Sequence, residues 1–435
     1  MSLGLDSLPQ LTAALRRGDL SISAYLDELE SRVAAREPDV LALLPEPGRF
    51  ARLRREAAAL ENRFPAPEQR PSLFCVPVGV KDIFHISGFA TRAGSNLPIQ
   101  ALRGPEAHCV SALKRAGALI LGKTVTTEFA YFGPGPTRNP HRLDHTPGGS
   151  SSGSAAAVAA GFCPLALGTQ TIGSINRPAA FCGVVGFKPS QERISRTGVI
   201  PLSPSVDHVG FFTADVTSAR MAGSVVIGDW RAEAGEGTAR DKPRKPVLGV
   251  PEGPYLDNAS GEALEHFGAV CRVLSGDGYS IVYVPAMPDF DEIRRRHNDI
   301  VAAEAARVHA KWFSRYADLY HPKTDELIRR GQEIGDADLA EALTGRARLR
   351  AELTQLMDTQ GVDVWIAPAA RGPAPRGLAS TGDPVMNLPW THSGMPSLTV
   401  PAGRTTDGLP LAVQWVGRMN ADEELLAWAD DSYPQ

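Results

Sequence analysis

Apolar and polar positions along the chain alternate between two spacings, and the switch points outline its elements. Leu26, Leu29 and Val33 recur at helical intervals behind a turn over 19–23 that offers an N-cap, and Pro38 falls just beyond the predicted helix end. A second, highly charged helix is predicted over 50–63. The run 73–80 is short, apolar and rich in β-branched residues, which predicts a buried strand. A helix over 106–116 and a strand over 118–121 follow, then a helix over 154–161 and a strand over 164–168. Strands alternating with helices predict an α/β chain with helices on both faces of a sheet.

The second half continues the pattern with one change. A strand over 247–250, a helix near 260–274 and a strand over 279–284 lead into 289–359. There helix formers dominate, and Ile293, His297, Ile300 and Val301 begin an amphipathic stripe. This helix-rich block reads as a helical subdomain that shapes a pocket, or as cover for the sheet. A strand over 362–367, a Pro/Gly-rich loop over 368–377, and two adjacent strands at 397–400 and 411–416 around Asp407-Gly408 complete the series. The polar, breaker-rich stretch 230–245 predicts an exposed loop. No internal repeat appears. The 435 residues are therefore read as one domain over 1–435, with 289–359 a helical subdomain within it.

Composition narrows the function classes. Apolar residues at 43% and charged residues at 22% fit a globular enzyme. The net charge of −4, without a long basic run, gives no support for nucleic acid as a partner. No apolar run is long enough for a membrane helix, and the amino-terminal residues lack the basic-then-apolar pattern of a secretory signal, so a cytoplasmic location away from membranes is expected. Cys75, Cys109, Cys163, Cys182 and Cys271 are scattered without a Cys-x-x-Cys pair and read as small buried residues in a reducing compartment. The histidines show no metal-ligand spacing, so neither metal nor cofactor is expected.

Two serine-bearing turns carry the chemistry. Residues 146–158 read TPGGSSSGSAAAV, three consecutive serines in a glycine-rich turn before a run of helix formers. Residues 167–179 read LGTQTIGSINRPA. Upstream, Lys81 ends an apolar run beside Asp82. Taken singly, each has a plain explanation: a helix-capping turn, a turn serine, a strand-end lysine. Two motif matches compete. Residues 117–124, GALILGKT, fit a phosphate loop on paper, but the middle residues look like a strand and cannot bend around phosphate. Gly149–Gly153 fits G-x-S-x-G with Ser151 central, and Asp383 and His392 follow in the order of an α/β-hydrolase triad. The stretch before Ser151 is not the strand such an elbow requires, so an esterase on Ser151, Asp383 and His392 stands as an alternative.

These turns, with Lys81-Asp82, Gly122-Lys-Thr124, Glu128-Phe-Ala130, Asn139-Pro140, residues 181–190, Asp207-His-Val-Gly210 and the tail 394–418, resemble the amidase signature family over about residues 10 to 428. The resemblance implies a central mixed β-sheet flanked by helices on both faces. It implies a Ser–cis-Ser–Lys triad with Ser174 as nucleophile, Ser150 as bridge across a cis Gly149–Ser150 peptide, and Lys81 as base. It also implies an oxyanion hole from the backbone of Thr171, Ile172, Gly173 and Ser174. The expected activity is an amidohydrolase that cleaves a carboxylic amide of a small molecule through an acyl-enzyme. An amidotransferase-like subunit of a larger complex is a further alternative, and a homodimer stays open. Tyr131 and Phe132 are placed at the substrate by analogy, whereas Arg177, Lys188 and Glu128 are read as structural polar contacts. Three positions depart from the family's commonest pattern, which has Asp at Gln170, Gly at Ile172 and Arg at Asn176; an arginine stands one place later, at Arg177.

Elementary chemistry supports the expectation independently. A serine hydroxyl is a weak nucleophile until a base takes its proton. A lysine serves as that base only when neutral, which burial at the end of an apolar strand favours. The positive end of the helix predicted after Ser154 disfavours an ammonium nearby.

Overall fold

A computed structural model describes residues 7–231 and 244–432, so most of the stretch read as an exposed loop lies outside the described residues. Ten strands form one mixed sheet: β1 Pro77–Lys81, β2 Leu119–Thr124, β3 Leu165–Gln170, β4 Val185–Lys188, β5 His208–Thr213, β6 Leu248–Glu252, β7 Ile281–Pro285, β8 Val364–Pro368, β9 Ser397–Arg404 and β10 Pro410–Val416. The spatial order is β2-β1-β3-β5-β4-β9-β10-β8-β6-β7. β1 runs parallel to both β2 and β3, the middle strands pair antiparallel, and β6 runs parallel to β7 and β8. β1, β2 and β3 are buried along their whole length, as strands covered on both faces must be.

The buried apolar residues form two large clusters. One gathers Leu26, Val78, Leu167 and Phe211 beneath the amino-terminal helices. The other gathers Ile300, Leu349, Leu353, Trp365 and Trp390 beneath the helices Phe290–Tyr316, Pro322–Gln332 and Asp336–Gln360. Those three helices are the predicted helix-rich block, and they share a core with Trp365, Ala367 and Val416 of the sheet. The first of them carries Asp291 and Glu292 in its opening turn, where a negative charge complements the helix dipole.

Two boundaries differ from the sequence expectation. Pro38 lies inside the helix Ile22–Val40 rather than past it. It occupies the last turn, so the lost N–H weakens only the end of a helix that stops two residues later at Val40. Residues 73–76, expected to be strand, form a turn in which Phe74 N donates to Pro71 O and Val76 N to Leu73 O. They are fully buried, and burial rather than ladder pairing explains their apolar character. The five cysteines are buried free thiols. Among the described residues no helix is long and apolar enough to cross a membrane.

The serine-rich turn docks on this frame through Gly153, in the first turn of the helix Ser152–Ala159. Its N–H donates to Val125 O, and a Cβ there would lie 2.2 Å from Ala42 O and 2.4 Å from Val125 N. Only glycine permits that approach. Gly153→Ala is expected to destabilise the protein by at least about 2 kcal/mol, because backbone rather than a flexible side chain must move. Gly276→Ala, whose Cβ would meet nothing within 4 Å, is expected to change stability by under about 0.5 kcal/mol. Urea denaturation of the two variants checks the pair.

Candidate active site

Lys81 ends β1, and Thr169 lies near the end of the neighbouring parallel strand β3. The serine turn crosses both strand ends. Gly168 makes the crossing possible, since a Cβ there would stand 2.9 Å from Ser151 Oγ. The Gly149–Ser150 peptide is cis. Ser152 Oγ donates to Gly148 O at 2.8 Å and Ser154 Oγ to Leu167 O at 2.8 Å, so these two serines fasten the turn to the frame.

Three hydroxyls surround the Lys81 amine. Nζ lies 2.7 Å from Ser150 Oγ, 3.0 Å from Ser151 Oγ and 2.8 Å from Thr169 Oγ1. The side chain is fully buried and, among the described residues, has no carboxylate within ion-pair distance. Burial pushes its pKa well below the ordinary lysine value, opposed only by the charge of Asp207. Lys123, also buried, gives the contrast: its Nζ is 2.8 Å from Asp82 Oδ1.

Ser174 follows β3 in the turn 171–174 and lines a narrow cleft with Tyr131, Phe132, Ile172, Gly173 and Arg177. A cavity of about 320 Å³ adjoins it, sharing Ala130, Thr171 and Leu202 and reaching Thr169 and Asp207. The predicted base and bridge are therefore in contact, while no hydrogen bond joins Ser150 to Ser174 among the described residues.

The turn is held by its carbonyls. His297 Nε2 donates to Thr171 O at 3.0 Å, Thr391 Oγ1 donates to Ile172 O at 2.6 Å, and Arg177 N donates to Gly173 O at 3.0 Å. A trans peptide is planar, with each N–H antiparallel to the preceding C=O. Tying these three carbonyls therefore fixes the peptide planes that also carry the N–H groups of Ile172, Gly173 and Ser174. None of the three donates to a described residue. Gln170 adds a further anchor: its Oε1 accepts from Ile175 N at 2.7 Å and Asn176 N at 2.9 Å, and its Nε2 donates to Thr391 Oγ1 at 2.9 Å.

His297 Nε2 must carry the proton it donates, which leaves Nδ1 as acceptor at 3.3 Å from His392 Nδ1. Burial holds the His297 pKa down to about 3, so the ring is neutral. The esterase alternative is not assembled. Ser151 Oγ meets Lys81 and Thr169, His392 meets His297, and Asp383 pairs with Arg371 and caps Val385 N.

Asp207 accepts from Thr171 Oγ1 at 2.6 Å and from the N–H groups of Leu202 and Ser203, and burial raises its pKa to about 6. Its place beside the turn, like those of His297 and Thr391, was not foreseen from the sequence. His297 stood in a predicted helical stripe, and nothing in that stripe indicated contact with a turn 126 positions away.

The amidase family model matches residues 48–426. The chain belongs to the amidase signature family. This amidase is 33% identical to a glutamyl-tRNA(Gln) amidotransferase subunit from Roseiflexus castenholzii, over 99% of this chain and 96% of that one. It is 31% identical to a protein of the same name from a Synechococcus strain, over 95% and 93%. Among solved structures it is similar to an amidase with a TM-score of 0.86 and 31% identity, covering 98% of both chains. A peptide amidase from Stenotrophomonas maltophilia matches with a TM-score of 0.79 and 26% identity over 98% and 96%. Amidase-family enzymes act on carbon–nitrogen bonds, and this fold is theirs.

The buried amine has a thermodynamic signature. Burial favours the neutral amine of Lys81 in the fold, whereas the unfolded chain binds the proton, so unfolding below about pH 10.4 is accompanied by proton uptake. Stability from this position therefore grows as pH rises toward the unfolded value and declines as pH falls. The stability advantage of Lys81→Met over wild type is expected to shrink between about pH 7 and pH 10, by up to about 1.4 kcal/mol per pH unit. Denaturation curves across that range check it, and an amine charged in the fold would give a constant difference.

Proposed function

We propose that this chain is an amidohydrolase that cleaves a small carboxylic amide to acid and amine or ammonia through an acyl-enzyme on Ser174. The observation that carries the reading is the Lys81 amine: fully buried, without a carboxylate, and 2.7 Å from Ser150 Oγ. Ser151 Oγ donates to Thr169 O, so it is placed to accept from Lys81. A neutral amine that gives its two protons to Ser151 and Thr169 keeps its lone pair for the proton of Ser150. Ser150 in turn accepts the proton of Ser174, whose oxygen attacks the amide carbonyl. Contacts of this kind are often long before substrate binds and tighten in the reacting complex.

The developing oxyanion meets the N–H groups of Ile172, Gly173 and Ser174, with Thr171 opening the turn. Donors fixed in advance stabilise such charge strongly, each worth about a hundred- to a thousandfold in rate. The proton returns through Ser150 to the leaving nitrogen, and water then releases the acid. Tyr131 and Phe132 form one wall of the acyl cleft.

A second reading has its own support. Relatives named as amidotransferase subunits match nearly the whole chain, so this protein is read alternatively as an amide-cleaving subunit that passes ammonia to partners. Against it stand Gln170, Ile172 and Asn176, which depart from the commonest family pattern in the turn itself.

Purified chain without partners is expected to hydrolyse small amides, and mass spectrometry to find an acyl adduct on Ser174. Ser174→Ala is expected to lower kcat/KM by at least about a thousandfold. Activity should fall as the medium acidifies past the depressed pKa of Lys81, because protonation removes the base. His392→Ala is expected to cost far less than Ser174→Ala. Equal losses would favour the esterase arrangement, and hydrolysis that appears only with added partners would favour the amidotransferase reading.

A further inference from the structure

Two buried histidines stand in line from the turn 171–174, and their protons are fixed by what each nitrogen meets. His297 and His392 are both fully buried, with ring centroids 5.4 Å apart and planes at 70°. His297 Nε2 lies 3.0 Å from Thr171 O, and a carbonyl only accepts, so that nitrogen holds a proton. Burial keeps both rings neutral: His297 is held to about 3, and His392, with Arg346 and Arg296 nearby, to about 2. His297 Nδ1 is therefore a bare acceptor. The 3.3 Å contact between the two Nδ1 atoms then requires the proton of His392 to sit on its Nδ1. That leaves His392 Nε2 without a proton, and among the described residues no hydrogen-bond partner stands beside it to claim one.

Which tautomer a neutral imidazole adopts is set by the bond its other nitrogen makes. In the opposite tautomer His297 would turn a lone pair toward the lone pairs of Thr171 O, and the anchor would be lost. Thr171 O belongs to the planar peptide that also carries the Ile172 N–H, so the anchor reaches an amide of the oxyanion turn. His392 is itself held, since Arg346 Nε donates to its carbonyl at 3.0 Å. Its chain neighbour Thr391 donates through Oγ1 to Ile172 O at 2.6 Å. Residues 391 and 392 thus serve two successive peptides of the turn, one directly and one through His297. Neither histidine lines the Ser174 cleft.

We infer that His392 is a positioning residue that acts through His297: it locks the Nε2–H tautomer of His297, and His297 in that form sets the Thr171–Ile172 peptide for the transition state. The inference rests on the reading of Ser174 as nucleophile with its oxyanion met by this turn. It adds two residues that act from behind the reacting groups. A donor that meets charge only in the transition state contributes to rate rather than to substrate binding, so misplacing it lowers kcat and leaves KM. A histidine pair with a purely structural role would cost stability and leave the turnover of the folded enzyme unchanged.

Nitrogen NMR of the folded wild type with labelled histidine reads the tautomers directly. His297 is expected to show a protonated Nε2 and a bare Nδ1, and His392 the reverse. His297→Leu is expected to lower kcat by about a hundredfold with KM near wild type, and His392→Leu by about tenfold. His297→Gln is expected to recover most of the loss, since its amide nitrogen reaches about as far as Nε2 and always carries a proton. In the His297→Gln background no tautomer is left to lock, so His392→Leu is expected to cost little further, and that non-additivity marks action through His297. An Nδ1–H tautomer at His297, an unchanged kcat in folded His297→Leu, or the full cost of His392→Leu in the His297→Gln background overturns the inference. Should the variants fail to fold, the wild-type spectrum decides alone. Ser174→Ala separates the two levels. Hydrolysis that persists in it removes the nucleophile reading, whereas Ser174-dependent hydrolysis indifferent to His297→Leu removes only the histidine relay.

Discussion

A primary amine sealed inside the protein among three hydroxyl groups sets the terms for everything around it. Taking an ammonium out of water costs several kcal/mol even after relaxation, unless a carboxylate accompanies it. The fold supplies a carboxylate to Lys123 through Asp82 but not to Lys81. Lys188, also fully buried, rests on the carbonyls of Pro189 and Met395, and burial pulls its pKa to about 7. Three buried lysines thus meet three environments, and among the described residues only Lys81 is bonded to hydroxyls alone. The same side chain is structural or basic according to what lies within 3 Å of its nitrogen.

Holding the amine in place requires the sheet, whereas holding the turn 171–174 requires the opposite half of the chain. Thr171 O is bound by His297 from the helix Phe290–Tyr316, and Ile172 O by Thr391 from the short helix Leu388–His392. The helix-rich block is therefore more than a cover. It fixes two carbonyls of the turn. The neutral pair His297 and His392 serves this role without adding charge beside Lys81.

Much of this was legible in the sequence, for physical reasons. Lys81 ended an apolar strand, and a lysine there is buried if the strand is paired on both sides, as β1 is by β2 and β3. The strands β3, β8, β9 and β10 followed from apolar runs between breakers, and the helices of 289–359 from their composition. The turn at 73–76 was misread because complete burial, with or without a ladder, gives the same apolar run. Ser151, offered by the sequence as the nucleophile of an esterase, touches Lys81 instead, since a one-residue step within a turn re-aims a side chain in a way spacing cannot report. The supports of the turn, His297 and Thr391, come from more than a hundred positions away, where local pattern holds no information about contact.

The departures from the commonest family pattern act together. Gln170 takes the place of a carboxylate and uses its oxygen on two backbone N–H groups, leaving its amide for Thr391. With that carboxylate gone, an arginine at 176 would have lost its nearest counter-charge in the turn. Asn176 instead bonds to Thr399 and Ser397 of β9, neutral to neutral. Moving the arginine one position along a helix turns its side chain by about 100°. Residue 177 thus faces away from β9, toward Gly149 and the cleft. The exchange leaves the turn's supports neutral and places the arginine at the cleft.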